Sequence, residues 1–541
     1  MRITRVTFLT LSVAIILASC KTTVTTIPVP AGSVEAIAAV GKKAPLTEEE
    51  KKAWNHADLA TDSIPGMSTQ QAYDFLKGKQ GTQVVVAVVD SGTDLEHEDL
   101  KDVAWVNPGE IANNGKDDDK NGFVDDVNGW NFLGDIYKEN AELYRIVKDS
   151  TIADAETYKR AKKDYDKKVS EAATNKQRYG QILQAVTYAN SNIVKKLNKK
   201  EYKKADLTSI DASDPEMQRS VAIASQMFDL GLSSLQEAID ELTSLVSNAD
   251  DLLSGKALKQ DYRSVLNDDE NSMVTKIYGD NKSGHQVKKE AHGTHVSGII
   301  AASRSNGKGM DGIANNTKIM AVRVVPDGDE YDKDVALGIR YAVDNGAKVI
   351  NTSFGKGFSP NKEWVFEAIK YAAKNDVLIV NAAGNDGKNI DIEKVFPNDA
   401  PDLKNEISDN FLTIGAMSSN YNKDLLASFS NYGKKNVDIF APGVQIHSTF
   451  PEEDYKKISG TSMAAPSTAG VAALIRSYYP TLTAGQVKKI IMNSGTQIGF
   501  EVLLPGSETG EMVKLSDICV SGRIVNAYNA LQMADKIING K

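Results

Sequence analysis

Cysteine is nearly missing from this chain of 541 residues, which has only Cys20 and Cys519. The fold must therefore rest on a packed core, which a chain longer than one ordinary domain can bury. Long apolar runs are also wanting. The mostly apolar stretch Val6–Ala18 is too short to span a membrane as a helix. Positive charge is not in excess: the formal net charge is −9. That argues against nucleic acid as a partner, because phosphate recognition needs a basic face. Histidine is scarce, at six residues, so the possible general bases are few. What remains, 41% hydrophobic and 25% charged residues, is the composition of a soluble globular protein.

The chain opens on a targeting segment, with Arg2 and Arg5 ahead of the short apolar stretch. Leu17-Ala18-Ser19-Cys20 resembles the bacterial lipobox, in which the cysteine is diacylated and becomes the first residue. The resemblance implies a lipoprotein signal peptide over 1–19, with Cys20 as the lipidation site. It also implies an extracytoplasmic body held to a bacterial membrane by lipid, in the outer membrane or cell envelope. An ordinary signal peptide with a chance cysteine is the alternative. Residues 20–44 include a Thr, Val, Pro, Ala and Gly stretch that reads as a flexible tether. With Cys20 lipidated, Cys519 has no intrachain partner and reads as an inert thiol.

From residue 84 an α/β rhythm sets in. Val84–Val89, Ile319–Val325, Lys348–Thr352, Val377–Asn381 and Phe411–Gly415 read as buried parallel strands. Amphipathic stretches at Asp332–Asn345 and Lys362–Lys374 alternate with them. The expected fold is a three-layer α/β sandwich around a mostly parallel sheet, with ligands at the carboxyl ends of the strands. Residues 137–285 interrupt it. Apolar residues from Tyr165 to Leu197 recur at near-heptad spacing, and Phe228, Leu232, Leu235, Ile239, Leu242 and Val246 step by four and three. Asp214-Pro215 reads as a helix start. This predicts two long helices in an antiparallel hairpin, inserted between two parts of one α/β domain, 45–136 and 286–541.

Three blocks carry chemistry. Val85–Asp94 is a buried strand ending in the carboxylate of Asp90, His292–Gly298 opens an apolar helix, and Gly460–Pro466 opens another around Ser462. A serine hydroxyl is a weak nucleophile, so an imidazole must take its proton, and a buried carboxylate must orient that imidazole. The blocks resemble the signatures of the subtilisin family of serine proteases (peptidase family S8), in Asp…His…Ser order. The resemblance covers about 84–134 and 287–532 and leaves out the helical insertion. It implies a serine endopeptidase acting on polypeptides, with Asp90, His292 and Ser462 as the triad and no cofactor required for the chemistry. His295, three residues beyond His292, reads as structural.

The resemblance also implies Asn385, at the end of Asn381–Asn385, as an oxyanion donor beside the Ser462 amide. Ser353-Phe354-Gly355 looks like the family's substrate strand. Ala382-Ala383-Gly384 would face it across the pocket for the residue before the cut. Asp117, Asp119 and Asn121, then Gly122 and Asp125, look like the opening of a calcium loop, though Asn128 stands where an EF-hand has Glu. A solvated acidic turn is the alternative. No motif speaks to oligomeric state. A catalytically silent, lipid-anchored binding or scaffold protein working through the hairpin remains the alternative function.

Overall fold

The structure, a computed structural model, describes residues 40–230 and 232–540. The expected signal peptide, Cys20 and most of the expected tether lie outside the described residues. Strands form where β-branched and apolar residues run together. In chain order they are β1 Val84–Asp90, β2 Gly129–Asn131, β3 Thr317–Arg323, β4 Val349–Thr352, β5 Leu378–Ala382, β6 Phe411–Met417 and β7 Ile439–Pro442. Then come β8 Ile446–Phe450, β9 Asp454–Ile458, β10 Thr496–Gln497, β11 Val502–Leu503, β12 Met512–Val513 and β13 Arg523–Ile524. Nine make one sheet in the order β10-β13-β7-β6-β5-β4-β1-β3-β2, parallel except for the β10–β13 edge pair. β8 and β9 form a separate antiparallel ribbon, as do β11 and β12.

Short helices α1 Glu48–Ala53, α2 Leu59–Asp62 and α3 Thr69–Leu76 precede the sheet. The insertion comprises α4 Glu142–Lys148, α5 Ala155–Leu197, α6 Pro215–Asp229, α7 Leu235–Leu253 and α8 Lys256–Lys259. After it come α9 Ala291–Ala301, α10 Asp332–Asp344, α11 Lys362–Lys374, α12 Thr461–Tyr478, α13 Ala484–Ser494 and α14 Ala527–Asn539. Among the described residues no helix is long and apolar enough to cross a membrane.

Strand alternation divides the interior in two. Val86 and Val88 of β1 enter a core shared with α9, α12, α13 and α14, while Ala87 and Val89 enter one shared with α10 and α11. The result is the expected α/β sandwich, helices on both faces of a mostly parallel sheet. The five strands and two helices expected from the apolar pattern are present as β1, β3 to β6, α10 and α11. α5 runs 43 residues, about 64 Å at 1.5 Å per residue. The second arm differs from the single long helix predicted for it. It is two helices, α6 and α7, because the Ser234 side chain caps a new start by accepting from the Glu237 amide.

β1 lies centrally, paired on one side with β3 and on the other with β4. The order of connection reverses there, so the carboxyl ends of β1, β4 and β5 share one rim.

Candidate active site

Asp90 is the last residue of β1 and is fully buried. Its Oδ1 accepts from the Ser91 amide and from His292 Nδ1, both at 2.7 Å. His292 stands in the first turn of α9. The Ser91 hydroxyl supports that turn, donating to Glu290 O at 3.2 Å and accepting from the Gly293 amide at 3.1 Å. Burial pulls the His292 imidazole down, but the charge and hydrogen bond of Asp90 outweigh it and raise the pKa above its ordinary 6.5. Nδ1 is committed to the carboxylate, which leaves Nε2 to exchange protons.

His295 differs in every respect. It is buried, its Nε2 lies 3.0 Å from Lys456 O, and desolvation lowers its pKa to about 4. It secures β9 to α9, as a structural histidine would.

Ser462 sits in the first turn of α12, which packs on α9. Pro466 lies four residues on and has no N–H, so it cannot bond the Ser462 carbonyl as a helix would. That carbonyl instead accepts from Ser353 Oγ at 3.0 Å, and Ser462 Oγ donates to Ser353 O at 3.0 Å. Asn351 Nδ2 donates to the Ser353 hydroxyl at 2.9 Å. The Ser462 backbone is thus locked to the loop after β4 while its hydroxyl keeps a single bond, open to rotation.

Asn385 follows β5. Its Oδ1 accepts from the amide and the hydroxyl of Thr461, at 2.8 and 2.9 Å. This fixes the amide's orientation and leaves Nδ2 free to donate beside the start of α12. The backbone before it is in the left-handed region: Gly384 has φ +102°, and a Cβ there would strike Asn431. Asn431 is fully buried and stakes the turn. Its Nδ2 donates to Ala383 O, and its Oδ1 accepts from the amides of Asp386 and Lys388.

A cavity of about 1350 Å³ opens at Ser462, with Asn385, Phe354, Gly355, Ala382 and Gly384 on its walls. Ser353 and Ala383 are buried behind those walls. The fold therefore gathers both segments expected to bind substrate, with some members lining the cavity and others supporting it.

Of Asp117, Asp119, Asn121 and Asp125, only Asp119 enters a cluster of carboxylates among the described residues. Asp117 accepts from the amides of Asn121 and Gly122, and Asp125 from those of Asn114 and Gly115. Asn121 Nδ2 bridges Asp119 and Asp126. Oxygens of Glu110, Asp119 and Asp126 lie within 4.8 Å of one another. Burial raises the Asp126 carboxyl to about 6, and Glu110 Oε2 is buried with no hydrogen-bond partner. Glu110 carried no local signal in the sequence. Thr461 stood inside a recognised block, yet its hold on Asn385 depends on a contact across 76 positions.

Residues 81–511 match the Subtilase family. The chain belongs to that family. This subtilase is 38% identical to thermitase of Thermoactinomyces vulgaris over 242 residues, 44% of this chain and 75% of thermitase. The cell wall-associated protease of Bacillus subtilis (strain 168) is 36% identical over 229 residues, 42% of this chain and 24% of that relative's length. A solved cold-adapted subtilisin-like serine proteinase shares 32% identity, covering 42% of this chain and 74% of its own, with a TM-score of 0.33. The subtilase family is one of serine-type endopeptidases.

Proposed function

We propose that this subtilase hydrolyses peptide bonds through an acyl-enzyme on Ser462, with His292 as general base and Asp90 as its orienting carboxylate. The observation that carries this reading is the 2.7 Å bond from His292 Nδ1 to the buried Asp90, which leaves Nε2 as the proton acceptor. Rotation about the Ser462 Cα–Cβ bond takes Oγ from Ser353 O toward the imidazole as substrate arrives. Oγ attacks the carbonyl carbon while its proton passes to Nε2. Asn385 Nδ2 and the Ser462 amide then receive the oxyanion. The imidazolium returns its proton to the leaving amine, and water repeats the cycle to free the acid. Substrate lies extended along Ser353-Phe354-Gly355, its last residue before the cut facing Ala382 and Gly384.

Ser462→Ala should abolish both labelling by a serine-directed phosphonate and hydrolysis of unfolded protein. Either activity surviving in the variant would overturn the assignment.

Calcium fits the acidic loop as a structural ion. Glu110, Asp119 and Asp126 would hold it, because a cation satisfies the orphaned Glu110 oxygen and the buried Asp126 charge. Bound there, the ion would tie down the loop after β1. A chelator should then lower the melting temperature, and an unchanged melt would exclude the ion. Lipid at Cys20 would hold the enzyme to the membrane from outside the cytoplasm. Radiolabelled palmitate should enter the wild type and not Cys20→Ser.

A further inference from the structure

The cavity at Ser462 has a second wall that the sheet does not supply. Thr157, Arg160, Asp164, Lys167, Lys168 and Glu171 of α5 all line it. Apart from the adjacent Lys167 and Lys168, these residues step by three and four, so they form one stripe along the helix. The stripe runs about 21 Å at 1.5 Å per residue, the reach of about six residues of extended chain.

α5 is anchored in this position. Its Arg160 guanidinium stacks on Phe358, 4.1 Å from the ring centroid, and donates to Gly357 O at 2.8 Å. Ala161, fully buried, packs in one cluster with Phe358 and with Leu143 and Ile146 of α4. Gly357 and Phe358 directly continue the Ser353–Lys356 segment. On the cavity's other side, Lys388 pairs with Glu393 at 3.1 Å and also feels the Asp164 carboxylate.

The geometry points to α5 as a specificity-determining wall. It makes the acyl side of the Ser462 cleft a slot that admits about six residues of extended polypeptide and excludes folded surface. This rests on the protease reading above and deepens it. Charges of both signs line the stripe, so selection is by extension and width, not by the substrate's net charge. A protruding loop of a folded protein can lie against one strand in an open groove. A slot bounded on its second side takes only a chain stripped of neighbouring structure. The substrate class is therefore unfolded or locally unfolded polypeptide.

The test uses the full chain and a series of peptide anilides with one to about six residues before the cut. In the wild type, kcat/KM should climb along the whole series, and an unfolded protein should be cleaved far faster than its folded form. Asp164→Trp fills the slot and should cost about tenfold or more on the longest peptide and far less on the shortest. Arg160→Ala frees α5 from Gly357 and should raise cleavage of the folded protein relative to the unfolded form. Lys159→Trp, on an exposed part of α5 outside the cavity lining, serves as the control and should leave both ratios unchanged. A flat length series, or variants that move long and short substrates alike, would overturn the wall while Ser462 labelling stands. Loss of Ser462 labelling in the wild type would overturn the protease reading, and the wall with it.

Discussion

At the scale of single residues, Asn385 is held by one neighbour. Thr461 gives its amide and its hydroxyl to the same side-chain oxygen, and that hydroxyl also accepts from the Gly384 amide at 3.1 Å. Asn385→Ala should lower kcat about 10²–10³-fold, roughly 3–4 kcal/mol, with KM little changed, because the oxyanion forms only in the transition state. Thr461→Val removes one of two tethers and should cost less than Asn385→Ala in the same assay. The His292 pKa sets the acid limb. Imidazolium cannot take the serine proton, so kcat/KM should rise with pH through a midpoint above 6.5. In Asp90→Asn both raising influences go and burial, which lowers the pKa, remains. The midpoint should move to lower pH, with kcat down about 10⁴-fold. A midpoint that stays in place would show that Asp90 does not set it. These groups were legible in the sequence because short blocks flank them. Thr461's anchoring role, Asn431, Glu110 and Asp126 were not, since each owes its place to partners distant in the chain or to backbone geometry.

At the scale of elements, the insertion joins the catalytic fold through buried charge. Glu142 and Arg145 of α4 pair with each other, and Lys356 donates to Glu142 Oε2 at 2.6 Å and to Glu330 O at 2.6 Å. Burial works against Glu142, but Arg145 and Lys356 overcome it and bring its carboxyl to about 2. Glu330 is raised to about 8, chiefly by burial, and its Oε1 has no hydrogen-bond partner. The signs are opposite. Glu142 contributes stability above its ordinary 4.5 that is lost as pH falls toward 2. Glu330 contributes stability below 4.5 that is lost as pH rises toward 8. Glu330→Gln keeps the neutral shape and should flatten the fall in melting temperature between pH 4.5 and 8. Part of that slope should remain, because burial also raises Asp126 to about 6 and Asp399 to about 7. An unchanged slope would place the Glu330 charge in solvent. Periodicity reveals none of this: α4 is short, and its partners at 330 and 356 lie in loops, before α10 and after β4. The break between α6 and α7 did leave a trace in Ser234 and Glu237, a helix-start spacing that the continuous apolar stepping overrode.

At the scale of the whole molecule, the sheet's two cores do not extend into the far half of the insertion. Val186, Ile193, Tyr202, Leu207, Ala224 and Leu235 make a separate cluster among α5, α6 and α7. The proximal part of α5 belongs instead to the Phe358 cluster beside the cleft. One helix of 43 residues therefore spans two cores. A unit of a few helices with a small core of its own opens at lower free energy than a sheet covered on both faces. Near-heptad apolar spacing announced a helical module, but spacing alone could not assign each half of α5 to a different core. Amide hydrogen exchange reads the difference directly. Amides of Val186–Leu197, α6 and α7 should exchange first and as a group, those of proximal α5 around Ala161 later, and those of β1, β4 and β5 last. A peptide aldehyde bound at Ser462 should slow exchange in proximal α5, which lines its site, and leave the distal group unchanged. Protection spread evenly along α5 would mean that the helix acts as one rigid arm, so that whatever touches its far end also reaches the cleft.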